Sequence, residues 1–310
     1  MSESEPRNTS RRSFLKKSAL FAGVAAAATS VLTACDLTKA GSSASSAQTG
    51  ASTSRLDTIL KRGKLIVGTG STNPPWHFED DKGNLIGMDI EMAKILARGL
   101  FNKDDASVLE FVKQKADARI PNLQTDKVDI VIQFMTVTAL RAQQVEFTIP
   151  YYREAVNLLL KADSPYNGAK DMIGKKVKVS ILQNVTAEDM VHRGVPDAEV
   201  LQFDSQANCI LALDQGRVDA AAVDDSTCRW YFAQNPSKYK VGNYAWDAQT
   251  YSAAVKPGDQ RWLNWVNQAF HEAMTGLDWP SYAKAFKTYF GVDLEPPQSG
   301  FPLEWAYRPK

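Results

Sequence analysis

The chain has 310 residues and a formal net charge of +1. The length suits two domains, and the balanced charge, with no basic block beyond the N-terminus, excludes a nucleic-acid binder. Three scattered cysteines (Cys35, Cys209, Cys228) and three scattered histidines (His77, His192, His271) exclude a disulfide scaffold and leave little for a metal site or a histidine triad.

The N-terminus carries addresses. Ser10-Arg11-Arg12-Ser13-Phe14-Leu15-Lys16 has the form of a twin-arginine export motif. The Ala-rich run over 19–34 is short for a membrane span, which needs about 20 apolar residues. It closes on Leu32-Thr33-Ala34-Cys35, which resembles a lipobox, whose cysteine is lipidated and becomes the mature N-terminus. Residues 1–35 are therefore expected to be a lipoprotein signal peptide. Residues 36–54, mostly Ser, Ala, Gly and Thr, read as a flexible tether. One acyl chain binds a membrane marginally and several bind firmly, so the folded part is expected to work just outside a membrane.

A short helix is expected over 56–62, ended by Gly63, then a strand over 64–69. The loop 70–76 follows at the carboxyl end of that strand, where ligands of open α/β sheets bind. Its prolines aim Trp76, which fits a pocket wall or plain core filling. A polar turn at 79–84 lies between short strands. A helix opens at 87–92, with Ile90, Ala93, Leu96, Ala97 and Leu100 at helical spacing and Asp89 near its N-terminus. A strand over 108–112 and a helix over 117–124 come next. On that helix Arg119 stands where the apolar face would favour an aliphatic residue.

Residues 128–133 are apolar apart from Asp129 and Gln133, as in a buried parallel strand. The run passes through Met135-Thr136-Val137-Thr138 into a short polar helix, with Thr138 as its N-cap and Arg141 upon it. A strand that feeds hydroxyls and one guanidinium into a loop suits an anion, because the planar fork of Arg matches a carboxylate. A solvated surface arginine is the plain alternative. The segment 147–152 is a short strand closed by Pro150 and two tyrosines.

The second block repeats the alternation. Strands are expected over 155–160, 177–182, 199–203 and 218–223, with helical segments over 169–176 and 205–215. Thr186, with Asp189 three residues on, resembles a capping box, and a helix N-terminus after a strand offers N–H groups to an anion. Asp224 and Asp225 sit at the carboxyl end of the 218–223 strand. A strand over 251–255 returns to the first block. Helices over 259–275 and 280–290 follow, then a tail over 295–310 expected to pack on the surface. Two blocks joined by two crossings make a hinge, and the cleft between hinged lobes is a place for a small ligand.

Several stretches carry a resemblance in their order and spacing: GTGSTNPPWHF (68–78), GNLIGMDIEMAKILA (83–97), KVDIVIQFMTVTALR (127–141), FTIPYY (147–152), VSILQNVTAE (179–188) and GRVDAAAVDD (216–225). Together they are similar to the bacterial extracellular solute-binding proteins of family 3, specifically to the receptors of polar amino-acid ABC importers. The resemblance covers about residues 55–292. Met88 replaces the usual aromatic or aliphatic residue after Gly87, and Asn184-Val185 replaces a common Gly and small residue.

The resemblance implies an α/β, two-lobed periplasmic-binding-protein fold, a Venus-flytrap with two interdomain crossover strands. Lobe 1 would comprise 55–153 and 249–310, and lobe 2 would comprise 157–248. Arg141 would grip the ligand's α-carboxylate, with Thr136 and the helix N-terminus at Thr186. Asp224 would pair with the α-ammonium; an N-cap of the next helix is its plain alternative. Asn73, Trp76, Gln133 and Phe134 would line the pocket. A zwitterion needs a cation and an anion, and placing them on opposite lobes makes binding favour closure. Arg119, in Arg-Ile-Pro-x-Leu, resembles the subset that binds glutamate or aspartate, where it meets the side-chain carboxylate; a surface ion pair is its alternative.

The implied partners are an amino acid, the permease and ATPase of an ABC importer, and the membrane through lipid on Cys35. The receptor would be a monomer with no metal and no cofactor. A dehydratase of arogenate or cyclohexadienyl type on the same fold would need an acid such as Glu188 or Asp189. A ligand-sensing module would need a separate membrane signalling partner, and a purely structural lipoprotein would not need doubled anion-binding features. Cys209 and Cys228 fit either a disulfide or two buried thiols.

Overall fold

The computed structural model describes residues 53–184 and 186–300. The twin-arginine motif, the lipobox with Cys35, residues 36–52 of the tether, Val185 and residues 301–310 of the tail lie outside the described residues. No helix among the described residues is long and apolar enough to cross a membrane.

The chain begins with α1 (Arg55–Arg62), β1 (Leu65–Thr69), β2 (Thr72–Asn73), β3 (His77–Glu79), β4 (Leu85–Ile86), α2 (Met88–Phe101) and β5 (Leu109–Lys113). A 3-10 turn leads to α3 (Arg119–Gln124), then β6 (Ile130–Thr136), α4 (Ala139–Ala142) and β7 (Glu146–Phe147). The crossing strand β8 (Tyr152–Lys161) leads to α5 (Ala169–Met172), β9 (Lys178–Leu182), α6 (Ala187–Gly194), β10 (Glu199–Phe203), α7 (Gln206–Asp214), β11 (Ala220–Asp224), α8 (Asp225–Gln234) and β12 (Tyr239–Val241). The returning strand β13 (Trp246–Val255), α9 (Gln260–Thr275) and α10 (Trp279–Phe290) complete it.

One sheet runs through both lobes, in the order β10-β9-β11-β8-β13-β6-β1-β5. β5, β1 and β6 are parallel, and so are β10, β9 and β11. Between these two parallel sets lie β8 and β13, antiparallel to each other and to their outer neighbours. The apolar cores divide accordingly. One packs α2, α9 and α10 on β1 and β6, with Trp262, Val266 and Phe270 of α9 at i, i+4 and i+8. The second lobe has its own cores, one on each face of its sheet. Cys209 and Cys228 are free thiols buried in one of them, which settles that alternative.

The lobes touch where the 70–78 segment meets the N-termini of α7 and α8. The indole Nε1–H of Trp76 donates to Ser226 Oγ at 3.0 Å. The Thr227 hydroxyl donates to the Pro74 carbonyl at 3.2 Å, and Phe78 meets Trp230 edge to face at 5.4 Å. Lys115 and Asp204 form a solvent-exposed ion pair at 2.8 Å.

Several local expectations change: the 147–152 segment is strand only at β7 and at Tyr152, where β8 begins ahead of the expected 155, and the helical segment of 169–176 ends at Met172. The strand expected over 251–255 starts at Trp246, because polar Asp247, Gln249 and Thr250 lie on its less buried half while it pairs with β8. The capping box of Thr186 and Asp189 does not form. The Thr186 amide and hydroxyl both donate to Asn184 Oδ1, at 3.0 and 2.9 Å, so a local turn takes the groups that a cap would use.

Gly87 fixes the 70–76 loop against α2. Its φ is 126°, and a Cβ there would fall inside the carbonyl of Trp76. Gly87→Ala is expected to destabilise the protein by about 2 kcal/mol or more, read as a lower urea midpoint with an unchanged m-value.

Candidate functional site

A cavity of about 390 Å³ lies between the lobes, a size suited to a small ligand. Strand ends supply its chemistry: Phe134 and Thr136 from β6, Leu182 from β9, and Asp224 from β11. Arg119, Arg141, Thr186, Gln206 and Tyr251 also line it. Of the nine ligand-site residues expected from sequence, six therefore border one space: Arg119, Phe134, Thr136, Arg141, Thr186 and Asp224.

The other three lie behind the wall. Trp76 is fully buried among Tyr151, Tyr152, Tyr251 and Phe290. Gln133 has its side-chain amide tied to Gln114, at 3.0 Å to the side chain and 3.2 Å to the carbonyl. Asn73 accepts from the Gln206 amide at 3.2 Å and donates to His77 at 3.1 Å. The irregular loop turns Asn73 towards α7, so it joins the two lobes.

Both candidate arginines lack a carboxylate within ion-pair distance among the described residues. Arg119 is buried, 5% exposed, so no surface pair forms. Its Nε donates to the Ala116 carbonyl at 2.8 Å and one terminal nitrogen to the Gln133 carbonyl at 3.1 Å. Its guanidinium stands over the Phe134 ring, 5.9 Å from the centroid. Burial, and then the nearby charge of Arg141, pull its pKa down to about 9. Arg141 is half-buried and donates to the Thr136 carbonyl at 2.8 Å. Burial lowers its pKa too.

Across the cavity Asp224 occupies the N-cap position of α8 but makes no side-chain cap. Its Oδ2 accepts from Gln206 Nε2 at 2.8 Å, and its Oδ1 accepts from the Tyr251 hydroxyl. Burial raises its pKa, opposed by these two bonds and by the charge of Arg119. Arg193 and Asp247, also lining the cavity, pair with each other at 2.6 Å. The wall thus holds three guanidiniums against two carboxylates.

Phe134 is held in an unusual conformation, with φ 31°. Its N–H donates to Asp89 Oδ2 at 2.9 Å, and its ring stacks on His77 at 4.6 Å. His77 donates from Nδ1 to Asp89 at 2.7 Å, and burial lowers its pKa. A neutral ring with the proton on Nδ1 leaves Nε2 to accept from Asn73. Sequence reading missed Gln206, Tyr251 and this support. A lone glutamine opening a helix and a tyrosine in a strand give no motif; only the strand register places them at the cavity. Glu188 and Asp189, the acids a dehydratase would call on, do not line it.

Residues 65–292 match the model of the bacterial extracellular solute-binding proteins, family 3. The glutamine-binding protein of Geobacillus stearothermophilus is 32% identical over 67% of this chain and 78% of its own length. The L-cystine-binding protein TcyJ of Escherichia coli (strain K12) is 29% identical over 70% of this chain and 80% of its own. Among solved structures, an ancestral amino-acid-binding protein described as a precursor of cyclohexadienyl dehydratase superposes with a TM-score of 0.68 at 32% identity. It is covered completely and matches 76% of this chain.

Glu154, behind Asp224 on β8, is 4% exposed and accepts from the Ser226 hydroxyl. Burial and the neighbouring Asp224 raise its pKa to about 8. The folded state therefore holds a proton that the unfolded chain releases near the ordinary glutamate value. Stability should fall as pH rises from about 4.5 to about 8, by at most about 1.4 kcal/mol per pH unit. Glu154→Gln should flatten this slope, leaving the share of Asp224, whose pKa burial also raises, and urea unfolding at pH 5, 6.5 and 8 measures the difference.

Proposed function

This chain belongs to the bacterial extracellular solute-binding proteins, family 3, and on that premise we propose that it captures a polar L-amino acid in its interlobe cavity and delivers it to an ABC importer. The observation that carries the reading is the facing of Arg119 and Arg141 in one lobe by Asp224 in the other, across a space without its own counter-charges for the arginines. Arg141, with Thr136, takes the α-carboxylate, and Asp224 takes the α-ammonium. A zwitterion leaves the excess positive charge of the wall in place. An acidic side chain cancels it, so glutamate or aspartate is the preferred ligand, with Arg119 as the partner of the side-chain carboxylate. The relatives named for glutamine and L-cystine binding support the amino-acid class. Lobe 1 is assigned to 55–153 and 249–310 and lobe 2 to 157–248. Lipid on Cys35 holds the receptor at the outer face of the membrane.

Isothermal titration of the purified protein with L-Glu, L-Asp, L-Gln, L-Asn, L-His and L-Arg, after removal of any carried ligand, tests this reading. Roughly micromolar or tighter binding of Glu or Asp is expected. Arg119→Ala should weaken the acidic ligands by about 10- to 100-fold and spare the amides, whereas Arg141→Ala should weaken all of them. Binding confined to neutral or basic amino acids would overturn the acidic preference. Turnover of arogenate or prephenate would overturn the receptor assignment.

The ammonium subsite has a pH signature. Affinity depends on ionised Asp224, whose pKa burial raises. Binding should be full above that pKa and fall about tenfold per pH unit below it, from a pH above the ordinary carboxylate range. Tyr251→Phe removes a hydrogen bond to the carboxylate, so this acid limb should move to higher pH in titrations from pH 4 to 8.

A further inference from the structure

Gln206 is the first residue of α7, and it is pinned at three points. Its backbone N–H donates to Asn73 Oδ1 at 3.2 Å, across the lobes. Ser205 before it caps the helix, accepting from the Asn208 amide. Its side-chain Nε2 donates to Asp224 Oδ2 at 2.8 Å. A carboxylate oxygen accepts, so this last bond fixes which end of the amide is nitrogen and which is oxygen. The oxygen, Oε1, is buried without a hydrogen-bond partner among the described residues. The residue is only 4% exposed and borders the cavity. A buried carbonyl oxygen without a donor is costly to leave unmet, and the residue that carries it lines the space where a ligand would sit, although the oxygen itself is covered in this arrangement.

Covalent geometry says which ligand atom can reach it. The oxygen and nitrogen of an amide are about 2.3 Å apart. With Nε2 2.8 Å from Asp224 Oδ2, Oε1 lies within about 5 Å of that carboxylate oxygen. A nitrogen about 2.8 Å from each of two acceptors spans up to about 5.6 Å between them. One nitrogen can therefore meet both. An ammonium has three N–H groups and an N-methylated amine two, so either can serve Asp224 and Gln206 together, whereas an N,N-dimethylated amine has one and can serve only one of them.

We infer that Gln206 Oε1 is a second acceptor for the ligand's α-ammonium, which makes the pocket selective for primary amines over N,N-dimethylated ones. The inference rests on Asp224 as the ammonium partner proposed above. Gln206 then acts twice: its nitrogen orients Asp224, and its oxygen counts the ligand's N–H groups. Asn73, Nδ2-bonded to His77 and through it to Asp89, carries that arrangement back to the first lobe.

The test is a cycle of two ligands and three proteins. L-Glutamate and N,N-dimethyl-L-glutamate are titrated by calorimetry into the wild type, Gln206→Met and Gln206→Glu; if the six-amino-acid panel selects another ligand, that amino acid and its N,N-dimethyl derivative are used. The wild type should bind the N,N-dimethyl ligand about 10-fold or more weakly. Gln206→Met keeps length but has no amide donor or acceptor, so it should weaken the parent ligand about 10-fold and shrink the N,N-dimethyl penalty to within about 2-fold. Gln206→Glu keeps an acceptor and should keep the penalty. Equal weakening of both ligands by Gln206→Met would mean that Gln206 only holds Asp224, and would overturn the assignment. So would an unchanged parent affinity, or a change confined to the ratio of L-glutamine to L-glutamate. If the wild type binds no amino acid, the receptor reading fails and takes this inference with it. Thermal melts of the variants separate misfolding from these outcomes, and Gln206→Leu, which also lacks donor and acceptor, takes the place of Gln206→Met with the same expectations if Gln206→Met does not fold.

Discussion

The antiparallel pairing of β8 with β13 is the constraint on which the other features depend. Two strands cross between the lobes, and their buried N–H and C=O groups need partners. They find them in each other, and on their outer sides in β11 and β6. One sheet results. The strand ends that carry Thr136 and Asp224 are then set at fixed offsets from the same seam. Tyr251 stands opposite both Thr136 and Tyr152 in register, and its hydroxyl reaches Asp224. Glu154 stands opposite Gln249 on the same seam. The strands that join the lobes therefore also hold the cavity's acidic partner.

Burial then decides what the charges can do. A guanidinium taken from water without a carboxylate loses more solvation than carbonyl oxygens return. That is the condition of Arg119, which has two backbone carbonyls and the face of Phe134, with Arg141 repelling it. Asp224 is in the opposite state, satisfied by two neutral donors, with Arg119 felt through its charge but no cation at ion-pair distance among the described residues. In the proposed reading, neither wall completes the other directly. The ligand does so, and only when both lobes contribute, which is the differential affinity that a shift towards closure requires.

The sequence showed the alternation of strands and helices, because buried runs such as Ile130-Val131-Ile132 and Ala220-Ala221-Ala222 leave little other reading. It also showed which strand ends matter, since a basic residue after Thr136-Val137-Thr138 and paired acids after Val223 interrupt apolar runs. What it could not show was side-chain direction in irregular backbone. Trp76 and Asn73 share one short loop, yet Trp76 turns into the core and Asn73 towards α7. Gln133 lies next to Phe134 on β6, and alternation sends its side chain to the far face, where Gln114 takes it. Polar Asp89 looked like a helix-dipole residue. It does lie in the first turn of α2, and it is also the buried centre of a cluster that accepts from His77, Phe134 and Tyr151, contacts that join segments far apart in the chain.

The balance between the lobes follows from the kind of contact that joins them. Trp76 to Ser226, Thr227 to Pro74 and Gln206 to Asn73 are hydrogen bonds between neutral groups, each contributing about 0.5–1.5 kcal/mol net. Lys115 with Asp204 is exposed and contributes little in water. Phe78 against Trp230 adds one aromatic contact. Against these stands the desolvation of Arg119 and Asp224, whose pKa shifts both have burial as their largest cause. In the proposed reading these contacts and these penalties act on closure in opposite directions. A carboxylate placed against the arginines and an ammonium placed against Asp224 would remove the penalty and keep the contacts. The network from Asp89 through His77, Asn73 and Gln206 to Asp224 crosses the lobe boundary, so it can form in full only when they close. In this reading, recognition of the ligand's charged groups and closure of the lobes are one equilibrium, set by the same buried atoms.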